Sequence, residues 1–112
     1  MIYLRRIEIE ELPTPQQPQI EKRYLYIIGE DEEHFKIGIA SHPLRRLSAL
    51  QSGNRRKLTI RAAYGGGSAA CAYIEKRALK FFKAKIGSEW IRVRDLTEIT
   101  EFIGAFCEDD AI

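Results

Sequence analysis

Two phenols, one ammonium group and one glycine are predicted to share a face of a β-hairpin. The segments "RYLYIIG" (23–29) and "HFKIGIA" (34–40) alternate apolar and polar residues, as antiparallel strands do. A one-residue slip in register would expose one apolar set, so the apolar residues of both strands must face the core. The other face collects side chains that could contact phosphate, or that are ordinary residents of a half-exposed sheet: Tyr24, Tyr26, Lys36 and Gly38.

Two adjacent arginines follow in "SHPLRRLSALQ" (41–51), which is predicted to be an amphipathic helix. The apolar stripe of this helix consists of Leu44, Leu47 and Leu50. At about 100° per residue, Arg46 lies at the edge of the stripe whereas Arg45 points away from it. Arg46 could therefore reach back across the sheet and stabilise charge on a phosphoryl group through bidentate hydrogen bonds. Alternatively, it covers apolar surface with its aliphatic stem.

A glutamate interrupts the apolar side of the next helix, which is predicted over residues 69–86. Glu75 projects from the middle of an apolar arc, while lysines and arginines occupy the opposite side. An ionised carboxylate in that position is costly unless a cation compensates it. Two interpretations stay open at this point. Glu75 forms a buried salt bridge, for instance to Arg46 or Lys36, or it binds a divalent cation.

The remaining elements predict an α/β domain with a small, largely antiparallel sheet flanked by helices. Their order is β-β-α-β-α-β-α, and the additional elements are strands at 57–64 and 88–93 and a helix at 95–106. The segment 1–12 could form another strand, able to pair with the edge of a second chain, and "PTPQQPQ" (13–19) is proline-rich. We therefore expect an N-terminal arm and linker at 1–20, one domain at 21–107 and an acidic tail at 108–112.

Positive charge is concentrated in residues 35–94. This segment holds fourteen lysines and arginines but only two carboxylates, so its formal charge is +12 although the whole chain carries +2. Nucleic acid is the simplest partner for such a segment. The chain has no apolar run near the roughly 20 residues of a membrane span and no signal-peptide pattern. Its two cysteines lack a metal-ligand spacing, and we expect a cytoplasmic protein without membrane contact.

These elements, in this order and spacing, resemble the GIY-YIG nuclease superfamily. "YLYIIG" stands at the place of the first signature strand, and "KIGIASHPLRRL" is similar to the second signature with the arginine helix. "YIEKRALKFF" resembles the helix that carries the metal-binding glutamate. "GSEWIRV" resembles the "GEWF" ending of a small branch typified by a phage open reading frame. The resemblance spans about residues 23–94.

The resemblance implies a catalytic set for phosphodiester hydrolysis. Tyr26 matches the tyrosine of the first signature, and Lys36 occupies the place of the tyrosine in the second. Gly38 matches the signature glycine, Arg46 the catalytic arginine, and Glu75 the ligand of Mg²⁺ or Mn²⁺. Tyr26 would position or deprotonate the attacking water, and deprotonation requires a phenol pKa lowered by neighbouring cations.

The expected function is therefore that of a metal-dependent endonuclease, acting by a one-metal mechanism on nucleic acid, with DNA as the expected substrate. Tyr24 and Gly38 are assigned to nucleic-acid contact. Non-specific backbone contacts are assigned to four cations, namely Arg45, Arg55, Arg56 and Lys57. We expect a second copy of the chain or a partner protein to choose the site.

Two other functions stay open. A nucleic-acid-binding module that kept the fold and lost the chemistry would need Glu75 only as a buried salt-bridge partner. A structural or protein-interaction domain would show no salt-sensitive binding of nucleic acid.

Overall fold

Five antiparallel strands form a single sheet in the computed structural model, which describes residues 3–85 and 88–107. The strands are β1 (Arg5–Ile7), β2 (Tyr24–Gly29), β3 (His34–Ala40), β4 (Thr59–Gly65) and β5 (Trp90–Arg92). They lie in the order β1-β4-β2-β3-β5. The helices are α1 (Pro43–Gln51), α2 (Ser68–Phe81) and α3 (Leu96–Gly104), and a 3-10 turn covers Ile9–Glu11. None of the helices in the described ranges is long and apolar enough to cross a membrane.

The predicted fold class and the element order from β2 onward are confirmed. Proline at the first position of α1 suits the helix because its missing N–H would have no partner there, and the helix begins at Pro43 as expected. The helix α2 is shorter than the predicted 69–86. It ends at Phe81, and Lys83 then adopts a left-handed backbone with φ 57°. The last predicted position, residue 86, lies outside the described residues.

Both faces of the sheet are buried. The hairpin register is as predicted, since Tyr26 pairs with Gly38 and Ile27 with Ile37. One face packs against α2 and α3, while the face of Tyr26 is covered by the leucines of α1 and by Leu12. The expectation of a half-exposed polar face is therefore wrong: Tyr26 is fully buried and Lys36 is only 8% exposed.

The N-terminal segment packs onto the domain instead of extending from it as an arm. Leu4, Ile7 and Leu12 are buried in the two cores because their apolar side chains cover surface that β4 and α1 would otherwise expose. β1 pairs with β4 and becomes an edge strand of the sheet, so this part of residues 1–12 is used within the same chain.

The acidic turn 30–33 neutralises part of the basic segment. Surface ion pairs at 3.0–3.3 Å join it to three arginines: Arg56 to Glu30 and Asp31, Arg61 to Glu32, and Arg92 to Glu33. Exposed pairs of this kind add little stability, but they reduce the net positive field on this side of the sheet. The charge segregation of the sequence is thus smaller in the folded chain.

Asp31 is expected to stabilise the β2–β3 turn in a pH-dependent way. Its Oδ1 accepts hydrogen bonds from the backbone N–H groups of Glu33 and His34, both at 2.8 Å, and these bonds lower the pKa of Asp31 to about 2. The folded pKa lies below the unfolded one. The ionised form therefore stabilises the fold above about pH 4, and this stability is lost as the pH falls through 2.

We expect Asp31→Ala to lower the melting temperature by a few degrees at pH 7, since the turn amides lose their acceptor. Asp31→Asn keeps a hydrogen-bond acceptor without the charge, so its melting temperature should lie between those of the wild type and Asp31→Ala. Thermal unfolding followed by circular dichroism from pH 7 to pH 2 would show the wild type converging on Asp31→Asn in acid. A constant difference between these two proteins across that range would contradict the prediction.

Candidate active site

The fold brings together the four side chains of the predicted catalytic set, each from a different element. Tyr26 comes from β2, Lys36 from β3, Arg46 from α1 and Glu75 from α2. Their charges act on one another: Arg46 and Glu75 both shift the pKa of Tyr26, and Lys36 shifts the pKa of Glu75. Such effects indicate that the groups lie near one another in the fold. The choice of Arg46 over its neighbour Arg45 agrees with this geometry.

Tyr26 lies across Gly38 of the neighbouring strand. A Cβ atom at Gly38 would come within 2.6 Å of the ring carbon Cζ, and still closer to the hydroxyl oxygen. The absence of a side chain at Gly38 therefore makes room for the phenol of Tyr26, and not only for a ligand. Within the described part of the chain, the buried hydroxyl oxygen of Tyr26 has no hydrogen-bond partner that meets normal geometry.

Burial raises the pKa of Tyr26 to about 12, although Arg46 opposes this shift. Deprotonation of water by Tyr26 would require a lowered pKa, and the pKa is raised instead. The cost of an ionised phenol in a buried site exceeds the stabilisation by the guanidinium. Tyr26 is consequently a neutral phenol at pH 7. A neutral phenol can orient a water molecule by hydrogen bonding.

A second carboxylate, Glu89, joins the site. It forms an ion pair with Lys36, and its backbone oxygen accepts a hydrogen bond from the amide of Ile37 at 3.0 Å, which fixes the approach to β5 against β3. The pKa of Glu75 is raised to about 7, mainly by burial and to a smaller extent by the nearby carboxylate of Glu89, while Lys36 opposes the shift. Lys36, one of the two cations considered as a salt-bridge partner of Glu75, forms its ion pair with Glu89.

Glu89 was not among the predicted site residues, yet one signal in the sequence could have found it. The cationic segment 35–94 contains only two carboxylates, and these are the two that meet in the structure. Two carboxyl groups that share a site favour either a shared proton or a bound cation.

The donor set fits a divalent cation with few protein ligands. Glu75 Oε2 is buried and has no hydrogen-bond partner among the described residues, and the carboxylate of Glu89 lies beside it. Mg²⁺ is usually held by one or two carboxylates, with water and substrate phosphate as the other ligands. In residues 3–85 and 88–107, no group of three or more histidine, cysteine, aspartate or glutamate side chains could form a fuller metal cage.

The residues predicted to contact nucleic acid divide into buried and exposed groups. Tyr24 is buried, and its hydroxyl accepts a hydrogen bond from the amide of Glu21 at 3.2 Å, so its position indicates packing, as does that of Gly38. Arg45 is exposed and donates from Nε to the Pro15 carbonyl at 2.7 Å. The other three are exposed: Arg55, Arg56 and Lys57. Of these, Arg56 forms the ion pair with Glu30 of the acidic turn.

Comparison with known proteins identifies the family. The family described as the T5orf172 domain matches residues 23–107, a range that includes all five side chains of the candidate site. This domain is phage-associated, is related to nuclease-type folds and occurs in endonuclease-like proteins, which fits a nuclease or DNA-binding role. No curated protein and no solved structure matches the chain. Because the match covers more than half of the sequence, the protein belongs to the T5orf172 domain family.

Proposed function

We propose that this protein is a metal-dependent endonuclease of the GIY-YIG type that hydrolyses phosphodiester bonds in DNA. The observation that carries the proposal is the pair of carboxylates, Glu75 and Glu89, beside a buried phenol and a cationic arginine. The buried, unpartnered Oε2 of Glu75, judged among the described residues, is costly in a purely structural site. A bound cation would remove that cost.

Each side chain then has a distinct role. Glu75, with Glu89 beside it, would hold Mg²⁺ or Mn²⁺, and the bound cation supplies positive charge for the scissile phosphate and the leaving oxygen. Arg46 donates hydrogen bonds to the phosphoryl oxygens as their charge increases. The Tyr26 hydroxyl orients the attacking water towards phosphorus. Lys36 neutralises Glu89 and keeps its carboxylate next to Glu75.

A catalytically inactive nucleic-acid-binding module is the second candidate function. The observation in its favour is the pKa of about 12 for Tyr26, because a neutral phenol is a poor general base at pH 7. In that case the basic surface would bind nucleic acid while the carboxylate pair had only a structural role.

Cleavage of supercoiled plasmid DNA tests the proposal. The wild type, Glu75→Ala and the matched control Glu101→Ala, an exposed glutamate of α3, are incubated with Mg²⁺, Mn²⁺ or EDTA. We expect nicking that needs metal in the wild type and the control, and none in Glu75→Ala. Mn²⁺ should also raise the melting temperature of the wild type and of Glu101→Ala, since a cation at a hundredfold excess over its Kd stabilises the folded protein by about 2.7 kcal/mol.

Two results would count against the endonuclease. Salt-dependent retention of DNA without cleavage, equal in all three proteins, would establish the binding module. Cleavage that persists in Glu75→Ala would remove Glu75 as the metal ligand, and cleavage that persists in EDTA would contradict the metal dependence of the proposed endonuclease.

A further inference from the structure

A cationic cleft of about 620 Å³ adjoins the candidate active site. The cleft is lined by residues 19, 22 and 23, by residues 40–42, by three residues of α1 and by the first residue of α2. Its polar lining includes Gln19, Lys22, Arg23, Arg45, Arg46 and Ser68. None of the described residues that line the cleft is acidic. Arg46 belongs both to this cleft and to the candidate active site, so the two are continuous.

The described residues that line the cleft supply no counter-charge, in contrast to the acidic turn at 30–33. Arg56, Arg61 and Arg92 are paired with the acidic turn, whereas Arg45 donates to the neutral carbonyl of Pro15. Glu21 stands next to Lys22 in the sequence, but its carboxylate pairs with Arg5 at 3.3 Å. Cations clustered in a concave surface without counter-charges concentrate a positive potential that attracts anions.

The chain just before the cleft-lining residues 19, 22 and 23 is held against the start of α1. Arg45 Nε donates to the Pro15 carbonyl at 2.7 Å, and His42 Nε2 donates to the Gln17 carbonyl at 3.1 Å. His42 lines the cleft and is 94% buried, and its Nδ1 has no hydrogen-bond partner within the described residues. Two backbone carbonyls just before the cleft are thus tied to the start of α1, and a backbone that is ordered in advance reduces the entropy cost of binding an anion.

We propose that this cleft binds a backbone phosphate of nucleic acid, flanking the phosphate at Arg46, with Lys22 and Arg23 as its main contacts. The inference rests on the proposed function and adds two contacts at the boundary of the matched family domain, Lys22 just before it and Arg23 at its first position. A nucleic-acid backbone is favoured over free phosphate because the cations extend in a continuous surface from Lys22 to Arg46. Each such contact is expected to be sequence-independent and to release counterions.

Fluorescence anisotropy of a short labelled DNA duplex in EDTA, at several NaCl concentrations, tests the assignment without cleavage. The test protein is Lys22→Gln/Arg23→Gln, and the matched control is Lys76→Gln/Lys80→Gln, which removes the same charge from the exposed side of α2. We expect the affinity of the test variant for the duplex to be at least about tenfold lower near 0.1 M salt. Counterion release at each phosphate contact raises the affinity roughly eightfold at that salt concentration. Its slope of log K against log salt should fall by about two.

The control variant should keep its affinity within about twofold of the wild type, because screening limits the reach of exposed charges to about 10 Å. Equal losses in the two double variants would overturn the cleft assignment and leave the proposed function intact. A wild type that binds no duplex would overturn both. Sodium phosphate, compared with NaCl at equal ionic strength, should compete no better than chloride; selective competition in the wild type alone would assign the cleft to free phosphate instead.

Discussion

Replacing Arg46 with glutamine is expected to slow single-turnover cleavage of DNA by about 10²–10³-fold, the usual effect of removing one donor that stabilises transition-state charge. The guanidinium is the strongest charge acting on Tyr26, the phenol that is proposed to orient the attacking water. Glutamine can still donate one hydrogen bond but carries no charge and cannot form a bidentate contact. The rate is measured at saturating protein so that weaker binding does not contribute.

Arg45→Gln is the matched comparison, because it removes the same charge one position away on the same helix. Arg45 is directed to the Pro15 carbonyl and to the cleft. We expect Arg45→Gln to lose at most about tenfold in affinity for DNA, and the salt dependence of that affinity to become weaker. Equal rate losses in the two variants at saturation would contradict the separate roles of the two arginines. An unchanged rate in Arg46→Gln would remove Arg46 from the catalytic set.

Gly38→Ala is expected to destabilise the protein by about 1–3 kcal/mol, the range for overpacking a filled core. The added methyl would lie 2.6 Å from Tyr26 Cζ, so the ring must move, and the neighbouring strands and α1 leave it little room. A displaced phenol can no longer orient water in the site. Cleavage should therefore fall by more than the loss of folded protein explains.

Gly53→Ala provides the control for this substitution. Among the described residues, no atom lies within 4 Å of the position that its Cβ would occupy. We expect its melting temperature and cleavage rate to stay at wild-type values, measured by thermal unfolding and plasmid nicking. Wild-type stability and activity in Gly38→Ala would show that the ring of Tyr26 does not lie over Gly38 in solution.

The local sequence determined the elements and the sides on which their residues lie. Alternation with period two set the register that pairs Tyr26 with Gly38, and the helical period of 3.6 separated Arg46 from Arg45. The start of α1 at Pro43 and the cap of α3, where Asp95 accepts from the Thr97 amide, also depend on short motifs. These features depend on neighbours within a few residues, so composition and spacing suffice to predict them.

Only the tertiary structure decided how the site is charged and enclosed. Lys36 and Glu89 are 53 positions apart in sequence, and no local pattern predicts which lysine meets which carboxylate. The burial of the Tyr26 face depends on α1 and on an N-terminal segment that looked like a linker, and this burial is what raises the pKa of Tyr26. Electrostatics and desolvation depend on distances between elements, and those distances exist only once all the layers have packed.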